Sequence, residues 1–315
     1  MSETLVVDKL NRRGPYPCQA HTTAGRRINP QTPNFGPGPL PIDYIALSRS
    51  TVKSGMAFGP VSFTLSENSC RKQLGYWRRQ NLPFFDLISD EGNSFPFLFW
   101  SLPRVLCRWY GRLNEVIAVC SDWRVVSDLD SSGRLVGHVT VLETFSKAGL
   151  EFATFESTTT NSQGRLMLQA RDTWLLANRS DVAVLRRLGR HGHWQCLDSM
   201  LRDHQTAGEW YLTTRYIWQS AEWRNNVHIT EYAKRLGYPG ALIEGPLVAD
   251  LLYVWRITST GKRPDCLRWR YLRPLGEGTR CLVLPSISHP NELALAELNW
   301  EARTGAILVQ ALVEG

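Results

Sequence analysis

Two stretches of alternating apolar and polar positions, separated by a polar middle, organise this chain. In the first, GPVSFTLS from Gly59 to Ser66 predicts a short strand, and the polar and aromatic text after it predicts a helix ending by Phe85. Asp86 to Asn93 supplies turn residues. LFWSLPRVLCRWYG predicts an apolar helix, broken or offset at Pro103, whose ring removes a backbone donor. Strands follow at Trp123 to Ser127, Leu135 to Phe145, Leu150 to Thr158 and Leu166 to Ala177, rich in β-branched residues and separated by turn text. Strands adjacent in sequence imply antiparallel pairing.

From Asn178 to Gly208 the chain is polar and basic, with a short helix predicted over Asp181 to Leu188. The second stretch then repeats the order of the first. TRYIWQSAEW predicts a strand, TEYAKRLGY a compact helix from Thr230 to Gly237, and PLVADLLYVWRI a more apolar helix starting at Pro246, where a missing N–H costs nothing. CLRWRYLRPL, RCLVLPSIS, ALAELNWEA and GAILVQALVE are the closing strands. Trp123-Arg124 precedes Gly133-Arg134 as Trp269-Arg270 precedes Gly278-Thr279-Arg280, which points to an internal duplication. The class is α+β. The expected organisation is an extended or disordered leader over 1–43, an N-terminal domain over 44–185, a linker over 186–207 and a C-terminal domain over 208–315.

Composition narrows the function classes. With 315 residues, 43% of them hydrophobic, the chain can fill a substantial core, and no apolar run is long enough to span a bilayer. Its first residues lack the apolar core of a secretory signal, and Glu3 and Asp8 weaken a mitochondrial presequence; the cytoplasm is the default address and the mitochondrion the runner-up. Seven widely spaced cysteines, none in a CxxC pair, argue against a disulfide framework or a structural zinc site. A formal charge of +7 is spread thinly among acids; it allows a phosphate patch without a nucleic-acid partner, for which the phosphates of coenzyme A or the phosphopantetheine and acidic surface of a carrier protein serve equally. Arg263, Arg268, Arg270 and Arg273 are the candidates for holding such phosphates. His191 and His193 lack companions for a metal, and Ser66, Ser69 and Cys70 have no base at nucleophile spacing.

The chemistry-bearing text is AEWRNNVHITEYAKRLGYPGALIEGPLVADLLYVW. His228 stands just before a helix, near Glu222, Asn225 and Asn226, and an imidazole there can take or return a proton if an oxygen orients its other nitrogen. Gly245-Pro246 opens the apolar helix. Glycine lets a substrate approach bare backbone, and first-turn N–H groups can stabilise a carbonyl oxygen that becomes negative.

Asn226-Val227-His228, Tyr232-Ala233, Gly237-Tyr238-Pro239-Gly240 and Glu244-Gly245-Pro246-Leu247 carry a family likeness. In this order and spacing the text resembles the double hot dog family of MaoC-like (R)-specific enoyl thioester hydratases and dehydratases. The nearest branch is that of mitochondrial 3-hydroxyacyl-thioester dehydratase and mesaconyl-C4-CoA hydratase, which commonly reads Arg-Ile-His, Tyr-Ala, Gly-Tyr-Pro-Gly and His-Gly-Pro-Leu at these places. The likeness implies two antiparallel sheets, each wrapped around a central helix. It implies a lyase that reversibly adds water across the double bond of an acyl thioester, with His228 as acid/base and the Gly245 N–H as oxyanion donor. Trp223, Tyr238, Pro246 and Leu247 would contact substrate. The implied partners are acyl-CoA or an acyl carrier protein, without cofactor or metal, and a homodimer is left open.

One position departs from the pattern. The family places Asp or Asn five residues before its histidine, and this chain has Trp223 there; Glu222 and Asn225 are the nearby groups that could assist His228. The departure keeps two alternatives in view: an isomerase or cyclase acting on a polyketide-like or other specialised acyl intermediate, and a noncatalytic thioester-binding protein.

Overall fold

The computed structural model describes residues 47–80, 82–85, 95–110, 113, 116–126, 129, 133–176, 194–212, 226–228, 230–235 and 238–315. The leader 1–43, the turn at Asp86 to Asn93, the helix at Asp181 to Leu188 and the strand at Thr214 to Trp223 lie outside these residues.

The first half holds β1 (Ala57–Thr64), α1 (Glu67–Arg78), α2 (Pro96–Phe99), α3 (Leu102–Tyr110), β2 (Val116–Val125), β3 (Arg134–Lys147), β4 (Leu150–Thr160) and β5 (Leu166–Leu176). Then come β6 (Gln195–Cys196), α4 (Leu197–Arg202), β7 (Glu209–Tyr211), α5 (Thr230–Arg235), α6 (Leu247–Thr260), β8 (Cys266–Tyr271), β9 (Arg280–Pro285), β10 (Glu292–Asn299) and β11 (Thr304–Glu314). All pairings are antiparallel. The order runs β1-β3-β4-β5-β2 in one half and β8-β11-β10-β9-β7 in the other, with β6 beside β11. Each half therefore repeats the other's strand order in reverse across the sheet. The two half-sheets join edge to edge through β2 and β8, where Trp123 pairs with Leu267 and Ser121 with Trp269.

Alternation sets the faces. In β3, Leu135, Gly137, Val139 and Val141 are buried while Val136, His138 and Thr140 are less so, as the two-residue period of a strand requires. α3 packs on β1, β3 and β4, and α6 packs on β8 and β11. α6 is buried from Leu247 through Arg256 because α2 and the 3-10 turn Pro83–Phe85 cover it on the side away from its sheet. It ends at Gly261, whose φ of 70° needs a residue without Cβ and whose N–H closes on the Ile257 carbonyl at 2.7 Å. The expected apolar helix around Pro103 is two helices, broken at Trp100 and Ser101. Pro103 then falls in the first turn of α3, where no intrahelical partner for an N–H is lost. β2 begins seven residues before the expected Trp123, and part of the expected linker is β6 and α4.

Two buried carboxyls tie the interior together. Asp172 accepts from Trp100 Nε1 at 2.9 Å, Trp123 Nε1 at 3.0 Å and Ser121 Oγ at 2.6 Å. Asp250, on α6, accepts from Phe97 N at 2.9 Å, Trp77 Nε1 at 3.3 Å and Gln73 Nε2, all contributed by the first half. Burial raises Asp172 to about 6 and Asp250 to about 7, against the donors that favour the charged form.

Candidate active site

Residues 241–243 form a short extended segment held on two sides. Leu242 N donates to Val227 O at 2.9 Å, while Ile243 N donates to Leu275 O and Glu277 N to Ala241 O, at 2.9 and 2.7 Å. Val227, Ala233, Tyr238 and Leu242 pack together, with Ile117 of β2 against them. This packing carries the 3-10 turn Asn226–His228 to the side of the segment that leads into α6.

His228 Nδ1 lies 2.6 Å from the Leu242 carbonyl oxygen. A carbonyl only accepts, so Nδ1 carries the proton and Nε2 the basic lone pair. Nε2 faces Glu244 Oε1 at 3.9 Å, longer than a hydrogen bond. Burial lowers the imidazole to about 4, opposed by its bond to Leu242, and raises the Glu244 carboxyl well above the carboxylate range. Burial thus works against an ion pair here and favours the uncharged form of each group. Glu244 Oε2 has no hydrogen-bond partner among the described residues.

Gly245 follows, and Pro246 caps α6 at φ −59° and ψ −10°, one residue before the first helical position expected for it. Leu247, Val248 and Ala249 donate back to Glu244, Gly245 and Pro246. A Cβ on Gly245 would stand 2.6 Å from Tyr271 Oη, so glycine is required by close approach. Tyr271 is itself fixed by Trp269 Nε1, which donates to its oxygen at 2.5 Å.

Of the residues singled out from sequence, His228 and the Gly245-Pro246 turn are brought together. Tyr238 is in the small cluster beside them, and Leu247 is fully buried in the main core. Glu222, Trp223 and Asn225 lie outside the described residues, as do His191 and His193. Among the phosphate candidates, Arg268 is engaged by Asp122 and Glu314, each at 3.2 Å, and Arg273 lies over the Trp194 ring. Glu244 was missed as a site residue. The available signal was its own identity, an acid where the resembling text has histidine.

No family model matches the sequence, and no curated protein does. Solved structures do match. HtdX from Mycobacterium tuberculosis is 12% identical at a TM-score of 0.58, covering 82% of this chain and 100% of that one. A second M. tuberculosis protein, described as having a double hotdog fold, is 12% identical at 0.53, covering 85% and 97%. The fold is a double hot dog. A MaoC-like dehydratase from Phytophthora capsici shares it at 13% identity and a TM-score of 0.57, over 84% of this chain and 96% of its own. The peroxisomal multifunctional enzyme type 2 from Drosophila melanogaster matches 82% of this double hot dog at 15% identity and 0.55, and the chain spans 48% of that protein's length. Among the described residues, no helix is long and apolar enough to cross a membrane.

Proposed function

We propose that this double hot dog protein is a MaoC-like hydratase or dehydratase that interconverts an enoyl and a 3-hydroxyacyl thioester carried on coenzyme A or an acyl carrier protein. The observation that carries the reading is the His228 Nδ1 bond to Leu242, which turns a neutral, basic Nε2 toward the Glu244-Gly245-Pro246 turn. Support comes from the names of fold relatives such as the Phytophthora dehydratase, and from the sequence likeness around His228.

In this reading His228 removes the proton on the carbon next to the thioester carbonyl. The Gly245 N–H stabilises the negative oxygen that results. In this reading the reaction belongs to the second half, while the first half contributes Ile117 and the elements packed on α6.

The reading is tested by mass-resolved turnover of short, medium and branched enoyl and 3-hydroxyacyl thioesters in labelled water, for the native chain and His228→Ala. Label entering product in the native chain and disappearing in the variant supports it. Binding without label, or turnover indifferent to the substitution, overturns it in favour of isomerisation, cyclisation or simple binding.

A further inference from the structure

Among the described residues, three buried carboxyls are treated differently. Asp172 and Asp250 are each surrounded by three donors from neighbouring residues. Glu244 is as deeply buried, at 4% side-chain exposure, yet one oxygen has no partner among the described residues and the other faces an imidazole nitrogen 3.9 Å away. Buried polar groups are ordinarily satisfied, and a buried acid with one oxygen unpartnered beside a base is the mark of a group whose partner arrives from outside.

We infer that Glu244 is the second proton-transfer residue of the site, the acid that protonates the departing 3-hydroxyl while His228 takes the neighbouring carbon's proton. The inference rests on the hydratase and dehydratase reading above. It supplies, from the turn after residue 243, the second polar group that the text around Trp223 does not provide at the expected spacing.

The proton balance closes with these two residues alone. In dehydration, neutral His228 Nε2 takes the proton from C2, and the C2–H electron pair moves toward the thioester carbonyl. As the C3–O bond breaks, Glu244 gives its proton to the leaving oxygen, releasing water and forming the C2–C3 double bond. The site is left as imidazolium and carboxylate. In hydration that same pair acts in reverse: the carboxylate takes a proton from water attacking C3, and the imidazolium protonates C2. Transfer of one proton between the two groups restores the starting state without any outside acid or base. Groups 3.9 Å apart are close enough to act on one face of the C2–C3 bond, and syn loss of the proton and hydroxyl is the expected course. Burial favours protonated Glu244 and neutral His228, which is the state that begins dehydration.

The test separates leaving-group protonation from the rest of the reaction. The full chain, Glu244→Gln, Glu244→Asp and His228→Ala are compared on a 3-hydroxyacyl thioester and on the matching 3-chloroacyl thioester, whose chloride leaves without a proton. Glu244→Gln is expected to lose water elimination by about 100-fold or more, the scale of general acid catalysis. It should retain chloride elimination, and Glu244→Asp should restore part of the water reaction. His228→Ala should lose both. If Glu244→Gln dehydrates as well as the native chain, or loses both eliminations equally, Glu244 is not the leaving-group acid even though the thioester reading stands. If the native chain eliminates neither group, that reading falls and takes this inference with it.

Discussion

Asp122 Oδ2 lies 3.2 Å from Arg268 Nε, and the two residues are directly paired in the register of β2 and β8. The pairs flanking them, Trp123 with Leu267 and Ser121 with Trp269, each set one tryptophan across the seam, from opposite halves. The ion pair therefore marks the local two-fold of the seam. It is partly open to water, whereas the Trp123 and Trp269 rings beside it are buried and meet edge-on with centroids 5.0 Å apart. Asp122→Ala is expected to cost less than about 1 kcal/mol, and Trp123→Ala or Trp269→Ala about 3–5 kcal/mol. Urea unfolding midpoints of the three variants check the contrast.

Asp250 gives stability a pH dependence of definite sign. Its folded value of about 7 lies above the ordinary 3.8, so the folded state holds a proton that the unfolded state has released. That contribution is fully present below about pH 4 and is lost as pH rises toward 7, at up to about 1.4 kcal/mol per unit. Asp172, raised to about 6, acts in the same direction over a narrower window. Measured against Asp250→Asn, the native chain should lose stability from pH 5 to pH 7.5; parallel curves for the two proteins would contradict the assignment.

His228 runs the other way. With a folded value near 4 against an ordinary 6.5, it contributes stability above pH 6.5 that is lost as pH falls through 4. Its catalytic counterpart is an imidazole that remains basic in mild acid. The kcat/KM profile for the thioester should show its acid limb near pH 4, with no inflection near 6.5 from this group.

Gly245 tolerates no side chain without movement of Tyr271. Gly245→Ala places its methyl 2.6 Å from the phenol oxygen and should displace the ring from Trp269, lowering stability by about 1–3 kcal/mol. Tyr271→Phe in the same chain removes the hydroxyl contact and should recover part of the loss in thermal unfolding.

Much of this architecture was legible because its signals are local. The apolar run after Pro246 announces α6, and alternation announces β3, β4 and β5 within a residue or two of their ends. The repeated Trp-Arg text was a sound guide to the duplication, since those residues flank the seam between halves of like strand order. The signals failed where contact, and not pattern, decides. The early residues of β2 lack a clean alternation and become a strand by pairing with β5. β7 is three residues long and exists through β9. His228 and Gly245 were readable as chemistry-bearing types in a familiar order. Glu244 was not, because its relation to His228 depends on Leu242 being carried alongside Val227 and the imidazole.

Joining two units in one chain also changes what a substitution can do. In a symmetric pair of identical subunits every side chain occurs twice, and bulk added to one interior is added to its twin. Here Trp100, Trp123 and Trp174 cluster inside the first half around Asp172. In the second half a glycine packed against Tyr271 stands beside a histidine and an acid. Such unlike interiors in two units of one fold are open to a fused chain and closed to a symmetric pair.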